Sequence, residues 1–182
     1  MRIIAGKYRR RVLRCPKDGT RPTLDRVRES LFAILGNIEG ETVVDLYAGS
    51  GALGLEAASR GARHVVLVES DRHAAEVIEK NASSIGADQE CRVVRCAVEK
   101  ARGPLRASGP FDIVLADPPW KISSEAIVVV PEVMSELLAP GAVVVVGHVS
   151  SEVLELAEDC PLVIDDVRRW GDSAFTFLKQ RQ

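Results

Sequence analysis

Two stretches carry the residues whose types and spacing are suited to chemistry. In Asp117-Pro118-Pro119-Trp120, a carboxylate, two consecutive prolines and an indole follow the apolar run 111–116. In Val43-Val44-Asp45-Leu46-Tyr47-Ala48-Gly49-Ser50-Gly51-Ala52-Leu53-Gly54, an apolar run ends in an acid and opens onto a glycine-rich turn. The exocyclic amine of a nucleobase is a poor nucleophile, because its lone pair is delocalised into the ring. Acceptors on its two N–H bonds favour the pyramidal geometry in which it attacks and stabilise the charge that develops. The Asp117 carboxylate and the Pro118 carbonyl suit those two roles, with Pro119 stiffening the backbone between them and the next turn. Trp120 offers a face on which a base can stack, worth about 1–3 kcal/mol. The bland reading of Asp-Pro-Pro is a strand-ending turn. Its place after an apolar strand, with an aromatic next and the glycine turn upstream, favours the catalytic one.

Gly49, Gly51 and Gly54 spell G-x-G-x-x-G, and Glu69 lies about 20 residues on. Such a turn lets backbone approach a ligand at a helix N-terminus, and it serves nicotinamide dinucleotides as well as S-adenosylmethionine. The second cofactor carries no phosphate but has an ammonium on its amino-acid end. Asp45, close to the turn, suits that ammonium. Its alternative role is to orient the loop by bonding the backbone of the glycine turn. Glu69 is placed to accept hydrogen bonds from the ribose hydroxyls of an adenosine. A sulfonium is already activated, so no metal is called for, and Cys15, Cys91, Cys96 and Cys160 show neither C-x-x-C nor metal spacing. A nicotinamide oxidoreductase would need a hydride-transfer acid/base pair in a substrate domain, for which the sequence has no candidate.

The elements that must position these residues alternate. Arg2-Ile3-Ile4-Ala5 and Arg11-Val12-Leu13 suit a short hairpin. Arg21-Pro22-Thr23 leads into a helix with Thr23 as N-cap and Asp25 in its first turn. Val27, Leu31, Ile34 and Leu35 share one face and Gly36 stops it. Strands are expected at 42–46, 64–68, 91–96, 111–116 and 142–146, with helices at 52–60, 72–84, weakly at 98–102, at 124–138 interrupted by Pro131, and at 151–158. Residues 162–169 and 173–179 read as a hairpin turning at Gly171-Asp172. This is an α/β chain with a parallel sheet covered on both faces and a closing antiparallel hairpin. Right-handed crossovers put Asp45, Glu69, Ala97 and Asp117 along one edge, at the carboxyl ends of the strands.

The 182-residue chain suits a single domain with a small extension, and its formal charge of −2 is unevenly spread. Residues 1–28 hold ten Lys/Arg against Asp18 and Asp25, a local +8, which leaves −10 on the remainder. A basic segment on an acidic body points to a polyanion partner. Lys7, Arg9, Arg10 and Arg11 are the expected phosphate contacts, the alternative being a solvated tail. No secretory signal or membrane-length apolar run is present, and the cysteine usage suits a reducing cytoplasm.

The Asp-Pro-Pro-aromatic motif resembles that of amino methyltransferases that use S-adenosylmethionine. More narrowly, the chain resembles the RsmD family, bacterial enzymes that modify the exocyclic N2 of a guanine in 16S ribosomal RNA. The likeness covers Arg2–Lys7, the block Arg21-Pro22-Thr23-Leu24-Asp25-Arg26-Val27-Arg28-Glu29-Ser30-Leu31-Phe32, Asp45–Ala57 and Asp117–Trp120, the second of these being the most family-specific. It implies a Rossmann-like class I methyltransferase with a seven-stranded, mostly parallel sheet, a basic N-terminal extension over 1–22 and a methyltransferase domain over 23–182. It implies cofactor contacts from Asp45, Tyr47, Ala48, Gly49, Ser50, Gly51, Glu69, Ser70 and Ala97, with Thr23 and Arg26 near the cofactor carboxylate or the RNA. Arg21 joins the RNA contacts, and catalysis falls to Asp117, Pro118, Pro119 and Trp120. The implied substrate is small-subunit rRNA at guanine 966 in standard numbering, acted on in the cytoplasm by a monomer. Three positions depart from the family pattern. Trp120 replaces Tyr or Phe, Cys96 stands where Asn or Asp is usual, and Gly147-His148 replaces Glu-His. Adenine N6, cytosine N4 of RNA or DNA, and a glutamine amide remain alternative acceptors, and a non-catalytic RNA-binding module remains an alternative class.

Overall fold

The computed structural model describes residues 1–16 and 24–181. Arg21 and Thr23, and with Thr23 the expected helix cap, lie outside the described residues. In order, the elements are α1 (Asp25–Leu35), β1 (Thr42–Leu46), α2 (Ala52–Ser59), β2 (His64–Val68), α3 (Arg72–Ile85), β3 (Cys91–Val94), α4 (Arg102–Leu105), β4 (Phe111–Ala116), α5 (Ser123–Met134), β5 (Leu138–Val149), β6 (Leu162–Trp170) and β7 (Ser173–Gln180). Short 3-10 turns precede α4 and flank α5. The strands form one sheet in the order β3-β2-β1-β4-β5-β7-β6. β1 to β5 pair in parallel, and β7 pairs antiparallel with both β5 and β6.

Both faces of this sheet are buried, which is why its strands are apolar without a polar alternation. Val43, Val65, Leu67, Ile113, Leu115 and Val145 face one core with α1, α2 and α3. Val44, Leu46, Val66, Val114, Ala116 and Val144 face the other with α4 and α5. The connections reverse direction between β1 and β4, so a crevice opens there at the carboxyl ends of the strands.

Several boundaries differ from those the sequence suggests. The span 151–158 is not a helix. Leu154 is buried, Glu155 exposed and Leu156 half-buried, the two-residue alternation of extended chain. This segment returns from the Val149 end of the sheet to its Leu162 end, and extended backbone advances about 3.3 Å per residue against 1.5 Å for a helix. β5 runs on to Val149 because β7 pairs with it as far as Val149↔Ser173, and β3 stops at Val94 rather than Cys96. On α1 the cap is Leu24, which makes no side-chain capping bond, and the buried stripe is Val27, Arg28, Leu31 and Phe32. Ile34 is exposed.

The basic N-terminal segment is docked on the sheet domain rather than projecting from it. The expected hairpin is reduced to one antiparallel bridge, Arg2↔Val12. Ile3, Tyr8 and Leu13 enter the same core as α1 and α2. The fully buried Glu56 carboxylate accepts hydrogen bonds from the backbone N–H of Ile4 at 2.8 Å and of Ala5 at 3.0 Å, and pairs with Arg60 Nε at 2.8 Å. Ser59 adds bonds to Ala5 O and from Tyr8 N. Gly6 lies so close to this helix that a Cβ would stand 1.8 Å from Ser59 O, at a φ of +81° that already favours glycine. Removing the Glu56 carboxylate leaves two half-buried N–H groups and the half-buried Arg60 guanidinium without their acceptor. Glu56→Ala is expected to cost about 3–5 kcal/mol in a urea unfolding titration at pH 7; a loss under about 1 kcal/mol would show that the segment docks by its apolar side chains alone.

Candidate active site

A cavity of about 710 Å³ opens at the carboxyl ends of β1, β4 and β5. Of the expected site residues it is lined by Arg26, Asp45, Tyr47, Ala48, Gly49, Ser50, Asp117, Pro118, Pro119 and Trp120. Two stretches far apart in sequence thus meet across one space, because β1 and β4 are neighbours in the sheet.

Asp45 is 1% exposed, and its Oδ2 accepts the Gly54 N–H of α2 at 2.8 Å. This is the loop-orienting role, and one oxygen performs it. The other, Oδ1, is buried with no hydrogen-bond partner. Burial pushes the Asp45 carboxyl up to about 8, against the Gly54 bond that lowers it, with Asp117 and Glu69 adding repulsion. A cationic group brought against Oδ1 would relieve that cost, and the cavity is where it would come from.

The glycines divide their labour. Gly49, at a φ of +56°, has open space where its side chain would be. Gly51 lies against Ile78, Leu67 and Leu55, and a Cβ on Gly54 would stand 2.7 Å from Leu67. These two serve close packing of α2 on the sheet, and Gly51 does not reach the cavity. The Tyr47–Ser50 arc faces it, with Ala52 and Leu53 beyond. Tyr47 holds a φ of +61° without being glycine, a strained conformation of the kind found at functional turns. Burial pushes its phenol up to about 12. The buried Asn81 fixes the arc from behind, donating to Ser50 O and Arg14 O.

Glu69, Ser70 and Ala97 do not line the cavity. Glu69 instead grips the turn, accepting Gly49 N–H at 2.7 Å on one oxygen and Asp71 N–H at 2.8 Å on the other. Ala97 precedes a 3-10 turn and accepts Lys100 N–H.

Beyond β4, Asp117 and Pro119 are half-buried, Pro118 is buried and Trp120 is 44% exposed at the cavity mouth. Pro119 O is taken by Ile122 N–H, whereas Pro118 O accepts no hydrogen bond among the described residues. Ser123 anchors the following helix, bonding to Trp120 O and to the Glu152 carboxylate.

The sequence reading missed the far wall. It comes from the β6–β7 hairpin: Trp170, Gly171, Asp172, Ser173, Ala174 and Phe175. Trp170 and Phe175 pack edge to face, 6.0 Å between centroids. An aromatic just before the Gly171-Asp172 turn was the available signal, but nothing local says that the last hairpin folds back to the first glycine turn. His148 also lines this wall and is structural. Its Nδ1–H donates to Val149 O and its Nε2 accepts from Thr176 Oγ1, both at 2.9 Å, while burial holds it below the usual histidine range.

The basic residues sit apart from the cavity. Arg9, Arg10 and Arg11 are exposed on a tight turn, with Arg10 at a φ of +69°. No ion pair engages them among the described residues. Lys7 is held by Glu90 at 2.9 Å and lies over the Tyr8 ring; hydrogen bonding with Tyr8, then with Glu90, raises its pKa. Among the described residues no cluster of His, Cys, Asp or Glu could hold a metal, and no helix is long and apolar enough to cross a membrane.

Residues 1–179 match the family model described as Conserved hypothetical protein 95. The chain is 34% identical over its whole length to ribosomal RNA small subunit methyltransferase D of Haemophilus influenzae, covering 88% of that protein. It is 43% identical to the Escherichia coli protein of the same name over 66% of this chain and 61% of the relative. The solved structure of the Escherichia coli protein yhhF superposes with a TM-score of 0.80 at 34% identity, covering 99% of this chain and 97% of the other.

Asp45 sets a pH test. Its carboxyl is raised to about 8 in the fold, against about 3.9 unfolded. The neutral form is therefore the one the fold prefers. That contribution is complete below about pH 4 and is lost as pH rises towards 8, with a slope of at most about 1.4 kcal/mol per unit. Asp45→Asn does not titrate, so its stability relative to the unsubstituted protein should rise between pH 5 and pH 9 in urea unfolding. An unchanged difference would mean that Asp45 is ionised in the folded protein at both values.

Proposed function

We propose that this chain, which belongs to the Conserved hypothetical protein 95 family and so to the RsmD family its motifs resemble, is an S-adenosylmethionine-dependent methyltransferase of small-subunit ribosomal RNA that modifies the exocyclic N2 of a guanine, guanine 966 in standard numbering. The names of the relatives support the ribosomal RNA methyltransferase reading. The observation that carries the chemistry is one cavity bounded by a buried acid with an unsatisfied oxygen and by Asp117-Pro118-Pro119-Trp120.

The residues fit the cofactor. Asp45 Oδ1 is the acceptor for its ammonium, and the Tyr47–Ser50 arc gives backbone contact. Glu69 keeps lone pairs beside the turn for the ribose, Ser70 follows it, and Ala97 offers backbone to the adenine. Arg26, and Thr23 before it, would meet the carboxylate. When bound, S-adenosylmethionine supplies a methyl group activated by its sulfonium. Asp117 and Pro118 O accept the two N–H bonds of the guanine amine, directing its lone pair outward, and Asp117 neutralises the charge that develops on nitrogen. Trp120, exposed at the mouth, stacks on the base, which must leave its stack to enter. The rate then comes largely from holding the reacting groups in line. A dinucleotide fits this site less well, since the acid beside the glycine turn, Asp45, offers a pyrophosphate no positive potential.

The segment 1–22 supplies affinity. Arg9, Arg10 and Arg11, with Lys7 beside them and Arg21 beyond, contact RNA phosphates without reading sequence. The enzyme works in the cytoplasm as a monomer.

A tritiated-methyl assay on small subunits from a strain lacking this modification, followed by nucleoside analysis, tests the reading. Label is expected in N2-methylguanosine; label in N6-methyladenosine or N4-methylcytidine would move the acceptor. Asp117→Ala should lower methyl transfer by at least about 10²-fold while cofactor affinity by titration calorimetry is retained; near-normal turnover would remove Asp117 from the chemistry. Replacing Arg9, Arg10 and Arg11 together by Gln should weaken RNA binding and flatten its dependence on salt by up to about three counterions. An unaltered salt slope would make the turn a solvated surface.

A further inference from the structure

The catalytic carboxylate has a seat that the sequence motif does not contain. In the parallel register Ala116 of β4 stands opposite Val146 of β5, so Asp117, the first residue past β4, comes beside Gly147, which is still inside β5. On the other edge of β5, Gly147 pairs with Phe175 of β7. Asp117 and Phe175 thus bound the same space beside the Gly147 backbone. A Cβ built on Gly147 would lie 2.5 Å from Asp117 Oδ1, 3.3 Å from Asp117 Cγ and 2.8 Å from Phe175 Cε1. Real Cβ atoms do not approach so closely, so the carboxylate and the ring edge occupy the space that any other residue at 147 would fill. Gly147 has no positive φ to explain the choice of glycine. What requires glycine here is the room it leaves.

We propose that Gly147 and Phe175 are positioning residues for Asp117: the missing side chain at 147 is a slot that receives the carboxylate, and the Phe175 edge closes it. Phe175 is itself buried and buttressed edge to face by Trp170, so the C-terminal hairpin fixes the rotamer of the residue that must grip the amine. A displacement of about 1 Å at such a group can cost on the order of 10²-fold in rate. This inference rests on the proposed role of Asp117.

The test adds the one methyl group that the slot excludes. Gly147→Ala is expected to lower kcat at least tenfold in single-turnover assays on small subunits, with cofactor Kd and RNA KM within twofold of the unsubstituted protein. Phe175→Leu, which opens the slot without a clash, should lower kcat in the same selective way and serves if Gly147→Ala does not fold. A second readout needs no catalysis. The loss of Tm caused by Gly147→Ala should shrink in an Asp117→Ala background, where Oδ1 no longer competes for the space. Full activity in folded Gly147→Ala, or a Tm loss that is identical in both backgrounds, would overturn the seat. Absence of methyl transfer by the unsubstituted protein, with the Tm coupling present, would instead overturn the proposed function and leave the contact standing.

Discussion

The register of three parallel strands is the constraint from which the site follows. Leu46 of β1, Ala116 of β4 and Val146 of β5 are level in the ladder. The next residues, Tyr47, Asp117 and Gly147, therefore come level at one edge, where β1 and β4 end and β5 runs on. A slip of one residue would turn every side chain to the opposite face and would separate the glycine turn from the acid it must confront. The register is held by burial on both sides. Val43 and Val44, Ile113 and Val114, Val144 and Val145 point alternately into two apolar cores, and neither face can be exchanged for solvent without exposing one of them.

Charge is what the register makes difficult. Asp45, Glu69 and Asp117 come to neighbouring strand ends; burial is the main cost to Asp45, and the nearby Asp117 and Glu69 add to it. The protein offsets this with backbone donors. Gly54 N–H at the first turns of α2 serves Asp45, while Gly49 and Asp71 N–H serve Glu69. One buried oxygen is left over. A cavity that retains an unsatisfied acceptor beside its wall stores a local cost that a cationic ligand removes on arrival, which turns electrostatic discomfort into binding selectivity.

The periphery of the fold is organised around that centre. Glu56, on the helix that the glycine turn launches, clamps the first residues of the chain, and Asn81 joins Arg14 to Ser50. The basic turn and the Tyr47–Ser50 arc are thus mounted on the same helices. At the other end of the chain the β6–β7 hairpin extends the sheet past β5 and returns Trp170 and Phe175 to the cavity. Both termini close on a site whose chemistry lies in the middle of the sequence.

The sequence by itself determined the elements and the candidate chemistry. Apolar runs between turn residues located β1, β2 and β4 to the residue, because strands buried on both faces must be apolar throughout. Asp45, the Tyr47–Ser50 arc and Asp117–Trp120 were legible as candidate site residues because each ends or follows such a run, and they do line one cavity. The rest was decided by tertiary structure. A carboxylate's neighbours set whether it is free, so sequence could not show that Glu69 is turned to the Gly49 turn or that Asp45 keeps one oxygen unpaired. Residues 151–158 look helical in isolation, yet the path back along the sheet leaves 152–157 without regular structure, between turns. The far wall depends on β7 entering antiparallel beside β5, a long-range pairing that no local pattern encodes. Local sequence fixes which backbone states are cheap; only packing fixes which surfaces meet.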